Sequence, residues 1–254
     1  MLLVIDIGNT TVTLGAYQGD SLKFVSRFAT ELQMTSDQCF IRLSEIFKVY
    51  NINASNFIGA IISSVVPAVL LPMKRAIKRI INICPVIVSN KLNTGINFNK
   101  VEKDVLGSDL IAGCTGAVSL CPTPCIVVDL GTATTICVVD KDKNFLGGMI
   151  IPGVKTSLDA LTNRTSLLPD ISLEKPGKLI CTDTVESIRS GVIYGTAAMI
   201  DGLCRKIEEK LGYECNIVAT GGWSRDVVSY CEGNIILIDD LLLYGLKEIY
   251  KLND

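Results

Sequence analysis

Apolar runs along this chain stop repeatedly on small polar turns, and they do so twice in the same order. Residues 2–7, LLVIDI, form an apolar run broken only by Asp6, the pattern of a buried strand that ends in a turn at Gly8. TVTLGAY (11–17) resumes with β-favouring residues, so a hairpin is predicted, and LKFVSRFAT (22–30) reads as a third strand. In DQCFIRLSEIFKVY (37–50) the period changes, with Phe40, Leu43, Ile46 and Phe47 at helical spacing. CIVVDLGTATTICVVD (125–140) restarts the series with an apolar run, Asp129, Gly131, a threonine cluster and a second apolar run, and NFLGGMII (144–151) supplies the third strand. IGAIISSVVP (58–67) and NIVATGGWS (216–224) echo each other as buried strands ending in small polar or glycine turns. Residues 185–210 and 239–251 read as helices, the first through Val185, Ile188, Val192 and Ile193, the last through Leu242, Leu246 and Ile249.

Strand, turn, strand, strand and then helix, stated twice, predicts an α/β protein of two duplicated lobes facing one cleft. The boundary is placed near residues 116–122, where prolines interrupt the pattern, giving lobes of residues 1–117 and 118–254. The uncharged segment FIGAIISSVVPAVLLPM (57–73) approaches the length of a membrane span, but Ser63, Ser64, Pro67 and Pro72 make it a strand, a turn and a helix start. Asp6 inside the first apolar stretch argues against a signal peptide, and the expectation is a soluble cytoplasmic protein with no membrane partner.

Composition narrows the chemistry. Of the 254 residues 48% are hydrophobic and 20% charged, which is enough apolar material for a sizeable core. The net charge of −2 and the absence of long like-charge runs disfavour a nucleic-acid partner. Histidine is absent, which removes Ser-His-Asp and Cys-His catalysis and any histidine-ligated metal. A general base must then be a carboxylate, lysine, tyrosine or thiolate. The ten cysteines are scattered without a C-x-x-C and read as buried thiols.

The two Asp-Gly-Thr turns are the leading candidates for chemistry. A polyphosphate needs backbone amides, hydroxyls and a metal gathered at one point. Gly8 permits close approach of the backbone, Asn9, Thr10 and Thr11 supply donors, and Asp6 can hold Mg2+. In the second half Asp129, Thr132, Thr134 and Thr135 can face the same phosphates. Either turn alone is also an ordinary hairpin; the repetition is what favours the functional reading. Gly221 and Gly222 in ATGGW (219–223) can let an adenosine lie on the backbone, and a plain strand-to-helix turn competes with that. GMIIPGVKT (148–156) misses the P-loop spacing by one residue, Val154, and is rejected. Gly107, Ser108 and Asp109 open the helix expected within 105–120; a helix cap and a catalytic carboxylate are both open for Asp109.

Taken in order, DIGNT (6–10), SSVVP (63–67), GSD (107–109), DLGTATT (129–135), LGGMIIPG (146–153), TVESIRSG (184–191), ATGG (219–222) and LLLYGLKEIY (241–250) resemble the type III pantothenate kinases. These belong to the actin-like (ribonuclease H-like), sugar-kinase-like ATPases, and the resemblance runs along nearly the whole chain. It implies a nucleotide cleft in which Asp6, Ile7, Gly8, Asn9, Thr10, Thr11, Val12 and Thr13 bind ATP, with Asp6 near Mg2+. It implies Thr132, Gly221 and Gly222 on the nucleotide and Asp129 on a monovalent cation, K+ or NH4+. On the acceptor side it implies Lys100, Gly107, Ser108, Leu110 and Thr184, with Asp109 as base and Thr184 acting across a homodimer interface. The implied product is 4′-phosphopantothenate, at the first step of coenzyme A synthesis. Three positions depart from the family pattern: Leu110 stands where G-x-D-R carries arginine, Lys100 and Lys103 stand where tyrosine and proline are usual, and the TATT motif continues into Ile136-Cys137 without its aspartate. Leucine cannot pair with a carboxylate. A kinase for another small hydroxylated acceptor, or a nucleotide-binding regulatory relative, is therefore kept beside the first reading.

Overall fold

A computed structural model describes residues 1–98 and 106–254. The chain forms two compact α/β units, Met1–Ser119 with Leu241–Asp254, and Leu120–Asp240.

In the first unit β1 (Leu2–Ile7), β2 (Thr11–Gln18) and β3 (Ser21–Ala29) make an antiparallel meander, followed by α1 (Ser36–Val49). β4 (Gly59–Ser64) and the two-residue β5 (Val86–Ile87) add in parallel beside β1, giving the order β3-β2-β1-β4-β5. β1 is apolar almost throughout because both of its faces are covered. Leu3, Ile5 and Ile7 pack with Leu43 and Phe47 of α1 and with Met73 and Ile77 of α2 (Pro67–Ile81). Leu2 and Val4 pack on the other face with Ile111 of α3 (Ser108–Leu120) and Leu246 of α7 (Leu241–Asn253). The capping box of Thr35 and Gln38 starts α1, and Pro67 opens α2 at a position where its missing N–H costs no helical bond.

The second unit repeats the plan. β6 (Cys125–Leu130), β7 (Ala133–Val139) and β8 (Phe145–Pro152) form the meander, with β9 (Asn216–Thr220) and β10 (Ile235–Leu237) in parallel on the far side of β6. The order β8-β7-β6-β9-β10 is that of the first sheet. β1 and β6 even share the same alternation, four buried residues, a half-buried aspartate and a buried residue. One face of this sheet is covered by the long α5 (Thr184–Leu211), by Val154 at the start of α4 (Val154–Asn163) and by Val227 of the short α6 (Ser224–Val228). Asp183 caps α5 through the Glu186 amide, 2.9 Å away, and Gly212 ends it in the left-handed conformation at φ 77°.

The change of unit falls at Ser119/Leu120, and α7 belongs to the first unit. The physical reason is a pair of glycines. Gly245 of α7 and Gly116 of α3 bring the two helix backbones so close that a Cβ on Gly245 would overlap the Ala112 carbonyl.

Candidate active site

Asp6 lies at the carboxyl end of β1, opposite Thr13 on β2 and Ser63 on β4. The turn that follows is closed by the Gly8 amide donating to the Thr11 carbonyl, 3.0 Å. Thr30 fixes it from the end of β3, its Oγ1 donating to the Gly8 carbonyl at 2.7 Å and its amide to the Thr10 carbonyl at 2.9 Å. Asn9 and Thr10 are exposed, and Asp6, Gly8, Thr11 and Thr13 are half-buried. Ile7 and Val12 are fully buried in the core, so of the expected residues 6–13 these two offer a ligand only their main chain.

β4 runs beside β1 and ends on two serines. Ser108, the first residue of α3, turns its hydroxyl onto them. Its Oγ accepts from the Ser64 amide at 2.8 Å, donates to the Ser64 carbonyl at 3.0 Å and lies 3.1 Å from Ser63 Oγ. A hydroxyl has one proton, so the Ser63 hydroxyl is the donor to Ser108. Asp109 follows. Its Oδ1 accepts from the Leu110 amide at 2.8 Å, and Oδ2 has no hydrogen-bond partner among the described residues. Burial pushes the Asp109 carboxyl above the usual carboxylate range, and the helix amides at Leu110 and at Asp109 itself offset part of that rise. A Cβ on Gly107 would collide with Asp109 Oδ1, so the glycine leaves room for this carboxylate position. Lys100 and Lys103 lie outside the described residues.

In the second unit Asp129 occupies the corresponding place at the end of β6, opposite Thr135 on β7 and Thr220 on β9. Thr132 is exposed in the turn, and its carbonyl accepts from Thr156 Oγ1 at 2.7 Å and from the Gly153 amide at 3.2 Å, so α4 buttresses the turn from below. Gly221 has φ 95°, and a Cβ there would strike Asp129 Oδ1 and the Leu130 backbone. Gly222 beside it is unobstructed. Thr134 departs from expectation. It shares the core face with Ile136 and is fully buried, its Oγ1 without a partner, so it cannot face a phosphate.

Thr184 is the first residue of α5. With Asp183, Ser187 and Met199 it lines a groove of about 700 Å3 that extends to Pro152. Pro152 pairs with Ala133, next to Thr132, so within this unit the groove borders the β6–β7 turn. Among the described residues no cluster of three or more acidic or cysteine side chains could hold a metal alone. None of their helices is long and apolar enough to cross a membrane.

A family model described as type III pantothenate kinase matches residues 2–206. The chain belongs to the type III pantothenate kinase family. Curated relatives carrying that name agree over full length: one from Halalkalibacterium halodurans is 35% identical over 253 residues, covering 100% of both chains, and one from Shouchella clausii is 37% identical over 255 residues, again covering 100% of both. Solved structures agree in fold. A protein called a Baf family transcriptional activator from Campylobacter jejuni superposes with a TM-score of 0.60 at 18% identity, covering 98% of this chain and 97% of that one. Component A of (R)-2-hydroxyglutaryl-CoA dehydratase from Acidaminococcus fermentans does so with a TM-score of 0.60 at 15% identity, covering 98% and 96%. Both units are thus of the actin-like ATPase and sugar-kinase fold class.

For a type III pantothenate kinase family member, the structure adds residues that motif reading left without a role. Ser63 and Ser64 carry Ser108, and Gly153 and Thr156 carry the Thr132 turn. Two serines closing an otherwise apolar strand were the available signal for the first group. No comparable signal marks Thr156, which lies 24 residues from its partner. Leu110, where the family motif has arginine, gives its amide to Asp109 and keeps a half-buried aliphatic side chain.

Proposed function

We propose that this chain transfers the γ-phosphoryl group of ATP to the hydroxyl of pantothenate, making 4′-phosphopantothenate at the entry to coenzyme A synthesis. One observation supports the reading above others. Within the first unit the end of β4 joins the start of α3 to the strand that carries Asp6, so a phosphate-type turn and a half-buried carboxylate are anchored on adjacent parallel strands. Ligand sites of α/β sheets favour the carboxyl ends of such strands.

Asp109 is the base in this reading. Oδ1 is held by the helix amide, and Oδ2 takes the proton of the acceptor hydroxyl as its oxygen bonds to the γ-phosphorus and the bond to the bridging oxygen of ADP breaks. Asp6 with phosphate oxygens gives the ligand set Mg2+ favours, one carboxylate and the substrate. When bound, the ion would neutralise charge developing on the phosphates. The backbone and hydroxyls of residues 8–13 hold the phosphates, and Thr132, Gly221 and Gly222 contact ATP. Asp129 offers a carboxylate to K+ or NH4+. Gly107, Ser108, Leu110 and Lys100 shape the acceptor side. The working form is a cytoplasmic homodimer in which Thr184 reaches the partner's acceptor. Apolar side chains left exposed in the second unit, among them Ile150 and Ile180, are consistent with a covering copy.

Leu110 favours a second reading, a different hydroxylated acid or sugar as acceptor. ADP release from the purified protein with ATP, Mg2+ and K+ is to be measured with and without pantothenate, beside Asp109→Asn. Stimulation by pantothenate that Asp109→Asn abolishes supports the first reading. ATP binding without pantothenate-dependent turnover refutes it, and a panel of hydroxylated acids and sugars then separates a different acceptor from a regulatory nucleotide-binding role.

A further inference from the structure

The hydroxyl of Ser108 stands where a helix cap is expected, yet none of its hydrogen bonds is to its own helix. All three go to the last two residues of β4. At the start of α3 the Leu110 amide donates to Asp109 Oδ1 and the Ile111 amide to the Gly107 carbonyl. Ser63 is fully buried, and Ser108 and Ser64 are largely withdrawn from water. In such surroundings a hydrogen bond is directional, and an orphaned partner is costly. β4 is in register with β1, Ser63 opposite Asp6 and Ser64 opposite Ile7. The Ile7 carbonyl in turn accepts from the Val65 amide at 3.1 Å. A continuous path of backbone and hydroxyl bonds therefore runs from the strand bearing Asp6 to the helix turn bearing Asp109.

We infer that the Ser63–Ser108 clasp is a positioning device for the base: it fixes the first turn of α3 against β4 and so sets where the Asp109 carboxylate stands. Ser63 and Ser108 act here as positioning residues, through Asp109 and separately from any contact of Ser108 with the acceptor. The inference rests on the proposal that Asp109 is the base. A supporting residue of this kind controls the distance and angle of proton transfer, to which catalysis is steep. Nucleotide binding, carried by β1 and its turn, is left in place.

Ser108→Ala removes the clasp while keeping helix propensity. Expected for this variant are a kcat lowered by roughly 10- to 100-fold, a KM for ATP within about twofold of the parent, and a displaced acid limb of the pH–rate profile. Ser108→Thr, which keeps the hydroxyl, recovers most of the lost rate. A folded Ser108→Ala protein with parental kcat and an unmoved acid limb overturns the inference. So does a loss that falls equally on the KM for ATP and that Ser108→Thr does not recover, since that is general damage. Should Ser108→Ala fail to fold, Ser63→Ala, which leaves the two Ser64 bonds, carries the same comparison, and an unchanged acid limb there is equally fatal. Asp109→Asn is run in parallel. If it keeps the parental rate the base assignment itself is wrong; if it is inactive while Ser108→Ala is normal, only the clasp is.

Discussion

Asp109 is a carboxylate withdrawn from water with only one of its oxygens satisfied by the described residues, and its titration makes a prediction with a definite sign. Burial raises its folded pKa above the ordinary value of 3.8. The folded state therefore keeps its proton to higher pH than the unfolded chain does, and stability falls as pH rises from the unfolded value through the folded one. Above both values the buried charge is a net cost. Asp109→Asn, nearly isosteric and uncharged, is expected to melt higher than the parent at neutral pH and to lose turnover by roughly 100-fold or more. The acid limb of kcat/KM in the parent is expected above the ordinary carboxylate range. Thermal melts and initial rates across the acid-to-neutral range check all three, and a lower melting temperature for Asp109→Asn at neutral pH would contradict the burial argument. At this scale the sequence marks the carboxylate as a candidate but does not show its support, because a Ser-Asp pair at a helix start looks the same whether the serine caps its own helix or grips a neighbouring strand. Thr134 went astray for a different reason: as a member of a threonine cluster it looked like a ligand, while the alternation with Ile136 places it in the core.

Among the elements, α3 carries Asp109 at one end and a close crossing at the other. Gly116 would meet the Leu241 carbonyl if it had a Cβ, and Gly245 would meet the Ala112 carbonyl. Backbones at this separation leave no room for a methyl group. Gly245→Ala is expected to force α7 away from α3 and to destabilise the first unit by about 1–3 kcal/mol, even though alanine is the better helix former. Chemical denaturation checks this, and a stabilised variant would show that propensity outweighs the crossing. The long elements were legible because each has a strong period and a clear stop: LLVIDI before Gly8, CIVVDL before Gly131, and the α1 stripe. Others were not. α4 begins directly after Pro152 and Gly153, where strand end and helix start merge into one short pattern. β5 and β10, of two and three residues, are too short for a period to be read.

On the scale of the whole chain the duplication was readable because both sheets repeat one strand order and one aspartate position, whereas the return of the C-terminus was not. The apolar stripe of α7 states that it packs, but not against which sheet. Its destination is fixed by contacts that no local pattern reveals. Leu243, Leu246 and Ile249 close the face of the first sheet that Leu2 and Val4 present. Lys247, 1% exposed, pairs with Asp20 in the β2–β3 turn and with Glu248, and lies over the rings of Tyr244 and Tyr17 at 4.1 and 5.1 Å. Lys251 and Lys247 together hold the Asp20 carboxyl down to about 2. The first unit is therefore closed by residues that follow the whole of the second in sequence, while the second, Leu120–Asp240, is continuous. Ending the chain after Asp240 would expose the apolar Leu2–Val4 face and leave the Gly116 groove empty, and would remove no contact internal to the second unit. The expected result by hydrogen exchange is loss of protection in β1 and β4 with protection retained in β6 and β9, since proteins open in contiguous cooperative units. Equal loss in both sheets would mean that the two units fold as one and that α7 stabilises the whole chain rather than its first unit; full retention in β1 would mean that the helix is dispensable to the sheet it covers.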